Sequence, residues 1–259
     1  MGLFGMSAKI LILDIETAPS VAYVWRYWQE NVSPKQVLDH PHIMSFAAKW
    51  YKTNDIIYEE CRKSDDSVLV KRLIELLDEA DVVVAHYGSK FDLPKIKGRA
   101  LVNNISPPSP FRVVDTKNVA SKHFGFSSNS LEYIANVLEC SVRKGGHKKF
   151  PGFELWLECL RGNDEAWEEL RLYNIDDVLV LEEVYDKMLP WIDTHPNVAT
   201  FVDPEIPTCV KCGSLDLHRR GERVTNTGIY PRFQCMSCGG WNRGRYSLLK
   251  RNDNILTNA

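Results

Sequence analysis

Three stretches of this sequence put carboxylates where a cation could be held. The first is Leu13-Asp14-Ile15-Glu16-Thr17, directly behind the apolar run Ile10–Leu13. Residues i and i+2 of a strand point to the same face, so Asp14 and Glu16 share one and repel each other without a cation. Read alone, the pair also fits a solvated turn. The second is the segment from Ala85 to Pro94, in which Gly88 permits a tight bend and Asp92 falls near the start of the next helix. A helix dipole alone would also favour an acid there. The third is Tyr173-Asn174-Ile175-Asp176-Asp177, beside the apolar run Val178–Leu181. Tyr173 and Asp177 stand at i and i+4, so they share one helix face. Tyr173 also fits core packing with its hydroxyl at the surface, and Asp176 is expected to be solvated. Carboxylate oxygens suit hard cations such as Mg²⁺ or Mn²⁺.

The other constellation is built from sulfur. Four of the seven cysteines form Cys209-x-x-Cys212-Gly213 and Cys235-x-x-Cys238-Gly239, with 22 residues between the pairs. Each glycine permits the tight turn that wraps a metal, and four thiolates in two such pairs make a tetrahedral Zn²⁺ site. One Cys-x-x-Cys would suffice for redox chemistry, so a redox or disulfide reading is poorer. Cys61, Cys140 and Cys159 lie in apolar or helical segments and read as structural thiols.

The elements that must position these residues follow from periodicity. Strands are expected over Lys9–Asp14, His42–Tyr51, Asp55–Cys61, Asp81–Ala85 and Phe111–Asp115. Helices are expected over Asp65–Ala80 with Ser64 as its cap, from about Asp92, over Ser130–Cys140 with Ser130 as its cap, and over Asp164–Leu189. Strands with interspersed helices and then a helical half indicate an α/β domain on a mixed sheet. The expected organisation is a domain over 1–192, a linker over 193–207, a zinc ribbon over 208–251 and a tail over 252–259.

In order and spacing, the three acidic segments resemble the exonuclease motifs of the DEDD superfamily, the DnaQ-like group. The Tyr173-x-x-x-Asp177 motif resembles its tyrosine branch, shared with polymerase proofreading domains; Leu172 stands where a histidine branch would need His. Val114-Asp115-Thr116 and Ser128-Asn129-Ser130-Leu131 are similar to the proofreading domains of family B polymerases. The resemblance covers roughly residues 8–192. It implies a ribonuclease H-like mixed five-stranded sheet flanked by helices. It also implies a 3′–5′ exonuclease that releases nucleoside 5′-monophosphates, with Asp14, Glu16, Asp92 and Asp177 holding two Mg²⁺ or Mn²⁺ ions. Such an ion pair stabilises charge on the attacking and leaving oxygens of a phosphodiester. Asp14 would bridge both ions and Tyr173 would orient the attacking water. A phenol, whose ordinary pKa is about 10, is a poor base at neutral pH, so the role is positioning. One departure is Tyr87, where family members commonly have Asn. The cysteine-rich tail resembles the zinc ribbons of phage or bacterial stand-alone nucleases.

Charge distribution points to the same partner. From Cys209 to Arg251 there are nine Lys and Arg against two acids, +7, whereas residues 1–208 sum to −8. Arg219, Arg220, Arg223, Arg232, Arg243 and Arg245, with Tyr230, Phe233 and Trp241 among them, favour nucleic acid; a tail kept soluble by charge is the plainer alternative. Tyr23, Trp25, Tyr27 and Trp28 are expected mostly to pack as a flap on the body or on another subunit rather than on unpaired bases. The chain lacks an apolar stretch of membrane-spanning length and a secretory leader pattern. It is expected in the cytoplasm of a bacterium or a phage-infected host, with DNA as favoured substrate and a replication or repair protein as partner. An RNA exonuclease and a non-catalytic nucleic-acid adaptor are the alternatives.

Overall fold

The computed structural model describes residues 7–28, 31–142, 149–201 and 206–249. They divide between two compact units, one over Lys9–Val184 and one comprising Met1–Ala8 with Tyr185–Ala259. Lys250, Arg251, the tail over 252–259 and part of the expected linker, 202–205, lie outside the described residues.

The larger unit is built on strands β1 (Ile10–Thr17), β2 (Val21–Ala22), β3 (Val37–Asp39), β4 (Ile43–Trp50), β5 (Ile56–Glu60), β6 (Val82–Ala85) and β7 (Arg112–Asp115). Its helices are α1 (Ser67–Glu79), α2 (Asp92–Val102), α3 (Thr116–His123), α4 (Leu131–Val137), α5 (Glu154–Leu160) and α6 (Asp164–Met188), the last turn of α6 running into the second unit. The main sheet has the order β5-β4-β1-β6-β7, antiparallel from β5 to β1 and parallel from β1 to β7. This is the expected mixed five-stranded sheet flanked by helices, and β2 and β3 pair separately.

Alternation along β1 decides where the acids go. Leu11, Leu13 and Ile15 point into one core with α1 and α2, among Leu69, Leu73, Leu77 and Ile96. Burying each such side chain contributes about 1.5–3 kcal/mol, and a slip of one residue would reverse every side chain. The even residues, including Asp14 and Glu16, are thereby held on the other face, where Ser45 and Ala47 of β4 are their cross-strand neighbours. A second core lies there, with Met44, Leu155, Trp167 and Leu170. Lys49, opposite Ile12 on that face, is buried and pairs with Glu182 of α6.

Several local expectations need correction. The first strand does not end at Asp14 but continues to Thr17, so both acids are strand residues fixed by the ladder. Ser64 does not cap α1. The N-cap is Asp66, whose side chain makes no capping bond. Asp66 is fully buried and accepts instead from Arg99 Nε and Nη2 at 2.8 and 2.7 Å, Asn103 Nδ2 at 2.9 Å and the Ile43 amide at 2.9 Å. Asp65 takes over locally, accepting from the Ser67 amide at 3.1 Å. Ser130 caps α4 as expected, accepting from the Tyr133 amide, but α4 stops at Val137 and Glu139 turns to φ 52°. The helices α3 and α5 were not anticipated. Asp176 is half-buried rather than solvated. The aromatic run does not pack on the body: Tyr23, Trp25, Tyr27 and Trp28 are 72%, 94%, 93% and 82% exposed.

In the second unit, Tyr185 donates its hydroxyl to His195 Nε2 at 2.7 Å, while His195 Nδ1 donates to the Pro196 carbonyl at 2.7 Å. The carbonyl can only accept, so the proton on Nδ1 is fixed. The rest is a three-stranded antiparallel sheet of β8 (Leu217–Thr225), β9 (Gly228–Cys235) and β10 (Trp241–Arg243), in the order β10-β9-β8. No described helix is long and apolar enough to cross a membrane.

Candidate metal and active site

Asp14 and Glu16 of β1 meet Asp177 of α6, and one carboxylate oxygen from each lies within 4.8 Å of the other two. The sheet supplies two of these groups through alternation, and the helix supplies the third through its buried stripe. That stripe runs Ala166, Leu170, Asn174, Asp177, Val178, Leu181, Val184, the 3.6-residue period of a core-facing helix. Two of its members are polar, and both serve the site. Asp177 is 5% exposed and Asn174 is fully buried. Three carboxylates so close, two half-buried and one buried, repel strongly in a medium of lowered dielectric. An all-oxygen donor set of this charge fits a divalent cation.

Sequence reasoning missed the residues that hold the acids still. Asn174 Nδ2 donates to Asp14 Oδ2 at 2.7 Å, and its Oδ1 accepts from Ser45 Oγ at 3.0 Å, so both ends of the buried amide are satisfied. Its place in the apolar stripe, four residues from Leu170 and from Val178, was the available signal. Trp156 of α5 donates its indole N–H to Glu16 Oε2 at 3.2 Å and stands edge-on to Tyr173, ring centroids 6.2 Å apart. Tyr173 is half-buried.

Asp92 stands outside the group of three. It is 3% exposed at the start of α2, and its Oδ1 accepts from the Ile15 amide at 3.2 Å, which ties it to the strand between Asp14 and Glu16. Burial pushes its carboxyl up to about 7; amide hydrogen bonds oppose this and the Asp115 carboxylate adds to it. Gly88 matters here for space. A Cβ at that position would stand 2.3 Å from Ala85 Cβ and 3.7 Å from Asp92 Oδ2. The left-handed residue of the bend is Tyr87, at φ 68°. Asn adopts that conformation far more readily than a bulky residue does.

The bend is braced from two sides. Asp115 accepts from the Tyr87 amide at 3.0 Å, the Ser89 amide at 3.0 Å and the Lys117 and Asn118 amides of α3, capping a helix and clamping a loop with one carboxylate. His86 Nδ1 meets Thr116 Oγ1 at 2.9 Å, and its Nε2 donates to the Asn129 carbonyl at 2.9 Å. These are the Val-Asp-Thr and Ser-Asn-Ser-Leu segments singled out in the sequence.

In the second unit the four expected cysteines converge, one sulfur of each within 4.8 Å of the others. Cys209 and Cys238 Sγ are 3.7 Å apart, Cys212 and Cys235 Sγ 3.6 Å. Disulfides need about 2.05 Å, whereas bonds of about 2.3 Å in a tetrahedron set sulfur pairs about 3.8 Å apart. The cluster therefore fits one zinc ion and not two disulfides. Gly213 and Gly239 both sit at φ 75°, as the Cys-x-x-Cys-Gly turns require. Hydrogen bonds from Cys212 and Cys238 hold the Cys209 thiol below its usual range. The Asn242 amide reaches the same sulfur at 3.7 Å. In the same unit, Arg219, Arg220, Arg223, Arg243 and Arg245 are exposed and Arg232 is half-buried.

No curated protein matches this chain. Among solved structures it is similar to the family B DNA polymerase of the hyperthermophilic archaeon Pyrobaculum calidifontis, with 17% identity and a TM-score of 0.49. That similarity covers 72% of this chain and 25% of the polymerase, so the chain spans about a quarter of its length. Residues 11–189 match the RNase H superfamily, well over half of the chain and the whole of the carboxylate site, and the protein belongs to that superfamily.

Proposed function

We propose that this protein is a two-metal-dependent 3′–5′ exonuclease of the tyrosine branch that releases nucleoside 5′-monophosphates from the 3′ end of DNA. The observation that carries this reading is the convergence of Asp14, Glu16 and Asp177 to within 4.8 Å, from segments about 160 positions apart. Divalent cations held there, Mg²⁺ or Mn²⁺, would neutralise charge on the attacking and leaving oxygens of a phosphodiester. Asp14, Glu16 and Asp177 are the direct ligands in this reading, and Asp92, tied to the Ile15 amide, completes the set. Tyr173 orients the attacking water. Asn174 and Trp156 fix the carboxylates of Asp14 and Glu16, as outer partners of metal ligands generally do.

The same acids would serve an RNA exonuclease, so sugar preference is left to the substrate arms of the test. A non-catalytic adaptor is disfavoured because all four acids and Tyr173 are present. The Cys209, Cys212, Cys235 and Cys238 cluster holds one structural Zn²⁺, and the basic ribbon engages nucleic acid. The test compares the full chain with Asp14→Ala and Asp177→Ala on single- and double-stranded DNA and RNA, with Mg²⁺ or Mn²⁺ added. Mononucleotides should accumulate only with the unsubstituted protein. Hydrolysis that survives Asp14→Ala would remove the two-metal reading.

A further inference from the structure

The arginines of the ribbon are not equivalent, and strand register sorts them. Across β8 and β9, Arg223 stands opposite Tyr230; across β9 and β10, Arg232 stands opposite Arg243 and Gln234 opposite Trp241. Directly paired residues share a face, and residues two apart on one strand share it too. Arg223, Tyr230, Arg232, Trp241 and Arg243 therefore lie on one face of the sheet. Its basic and aromatic groups interleave on the diagonals: Arg232 lies over the Trp241 ring at 4.7 Å, and Arg243 over the Tyr230 ring at 4.3 Å. Trp241 remains 46% exposed. The other face differs. Arg219 stands there opposite Phe233 with the Glu222 carboxylate 3.8 Å away, and Asn242 turns that way to the thiols.

We infer that the Arg223–Tyr230–Arg232–Trp241–Arg243 face is a binding surface for single-stranded nucleic acid, taking unpaired bases by stacking and phosphates by its guanidinium groups. Charge alone would serve a duplex or an acidic peptide equally well. Rings set between arginines on an open sheet suit a ligand that alternates flat bases with phosphates, and a duplex buries its base faces. Stacking on aromatic groups and salt-sensitive phosphate contacts are the two components of such binding. The inference rests on the reading that this chain acts on nucleic acid. It sets Arg219 and Phe233 outside the surface.

The test is fluorescence anisotropy with the zinc-loaded full chain and no added Mg²⁺ or Mn²⁺. The probes are labelled oligo-dT and oligo-rU longer than about 16 nucleotides and a blunt DNA duplex. Trp241→Leu should weaken single-strand binding about ten-fold and change duplex binding less than about two-fold. Arg232→Gln and Arg243→Gln should each weaken binding and reduce the slope of log K against log salt by about 0.7. Arg219→Gln should leave single-strand binding within about two-fold. The dT and rU arms tell DNA from RNA. Zinc content verifies each fold, and if Trp241→Leu loses zinc, Tyr230→Leu replaces it. Single-strand binding unchanged by the ring substitution, or Arg219→Gln as damaging as Arg232→Gln, overturns the proposal; no nucleic-acid binding at all would point to an acidic protein partner. Adding Mg²⁺ to the same samples separates the two readings. Cleavage with ring-independent binding sinks this surface alone, whereas ring-dependent binding without cleavage sinks the nuclease alone.

Discussion

At the scale of single residues, the site depends as much on what holds the acids as on the acids. Asn174 is the clearest case. It is fully buried and bonds Ser45 with one end of its amide and Asp14 with the other. Asn174→Ala should lower turnover about 10–100-fold, the usual effect of losing an outer partner of a metal ligand, and raise the Mg²⁺ concentration needed for half-maximal rate. A loss of turnover with unchanged Mg²⁺ dependence would argue against a positioning role. Tyr87 offers a stability test. Holding a bulky residue at φ 68° costs about 1–2 kcal/mol, and the contact with the Lys117 ammonium, 4.0 Å from the ring centroid, returns about 0.5–1 kcal/mol at an exposed site. Strain outweighs the contact, so Tyr87→Asn should stabilise the fold by up to about 1 kcal/mol in urea denaturation. Destabilisation would mean that the ring packs for a purpose.

At the scale of elements, the convergence of Asp14, Glu16 and Asp177 was legible and its supports were not. Read singly, each motif also fitted a solvated turn, a helix start or core packing; the three in order, with Tyr173 and Asp177 at helical spacing, made the pattern. Asn174 lay between them unnoticed, since a polar residue in a buried stripe is visible only once the stripe's phase is known. Trp156 was missed because α5 is a seven-residue helix, too short for periodicity to register. The start of α1 was misread for a related reason. Local rules gave the cap to Ser64, whereas the N-cap is Asp66, and tertiary structure commits its carboxylate to Arg99, Asn103 and the Ile43 amide, tying α1, α2 and β4 together. Burial by itself would push its carboxyl up, but these hydrogen bonds outweigh burial and hold it below the usual carboxylate range. A folded pKa below the unfolded value adds stability that is present above about pH 4 and lost as pH falls through the folded pKa. Asp66→Ala strands the Arg99 charge, half out of water, and should cost about 3–5 kcal/mol. It should also flatten the acid limb of the stability–pH profile. A loss below about 1 kcal/mol would show that the three elements are held by apolar packing alone.

At the scale of the whole molecule, the two candidate metal-binding clusters belong to different compact units. Hard carboxylate oxygens gather in one and soft thiolates in the other, donor sets that suit different cations. Removing zinc should therefore unfold the ribbon, whose folding free energy is largely metal-binding free energy, and spare the carboxylate unit. Cys212→Ser should bind no zinc, weaken nucleic-acid binding and keep its rate at saturating substrate. A collapse of that rate would show that the ribbon takes part in the chemistry. Hydrolysis from the 3′ end, one residue at a time, can be followed in a Mg²⁺-started time course on one single-stranded DNA oligonucleotide labelled at either end. A 3′ label should be released at once as a mononucleotide, a 5′-labelled strand should shorten one residue at a time, and Asp14→Ala should do neither. Early release of the 5′ label, fragments from internal cuts, or an intact strand with the unsubstituted protein would contradict the proposed activity.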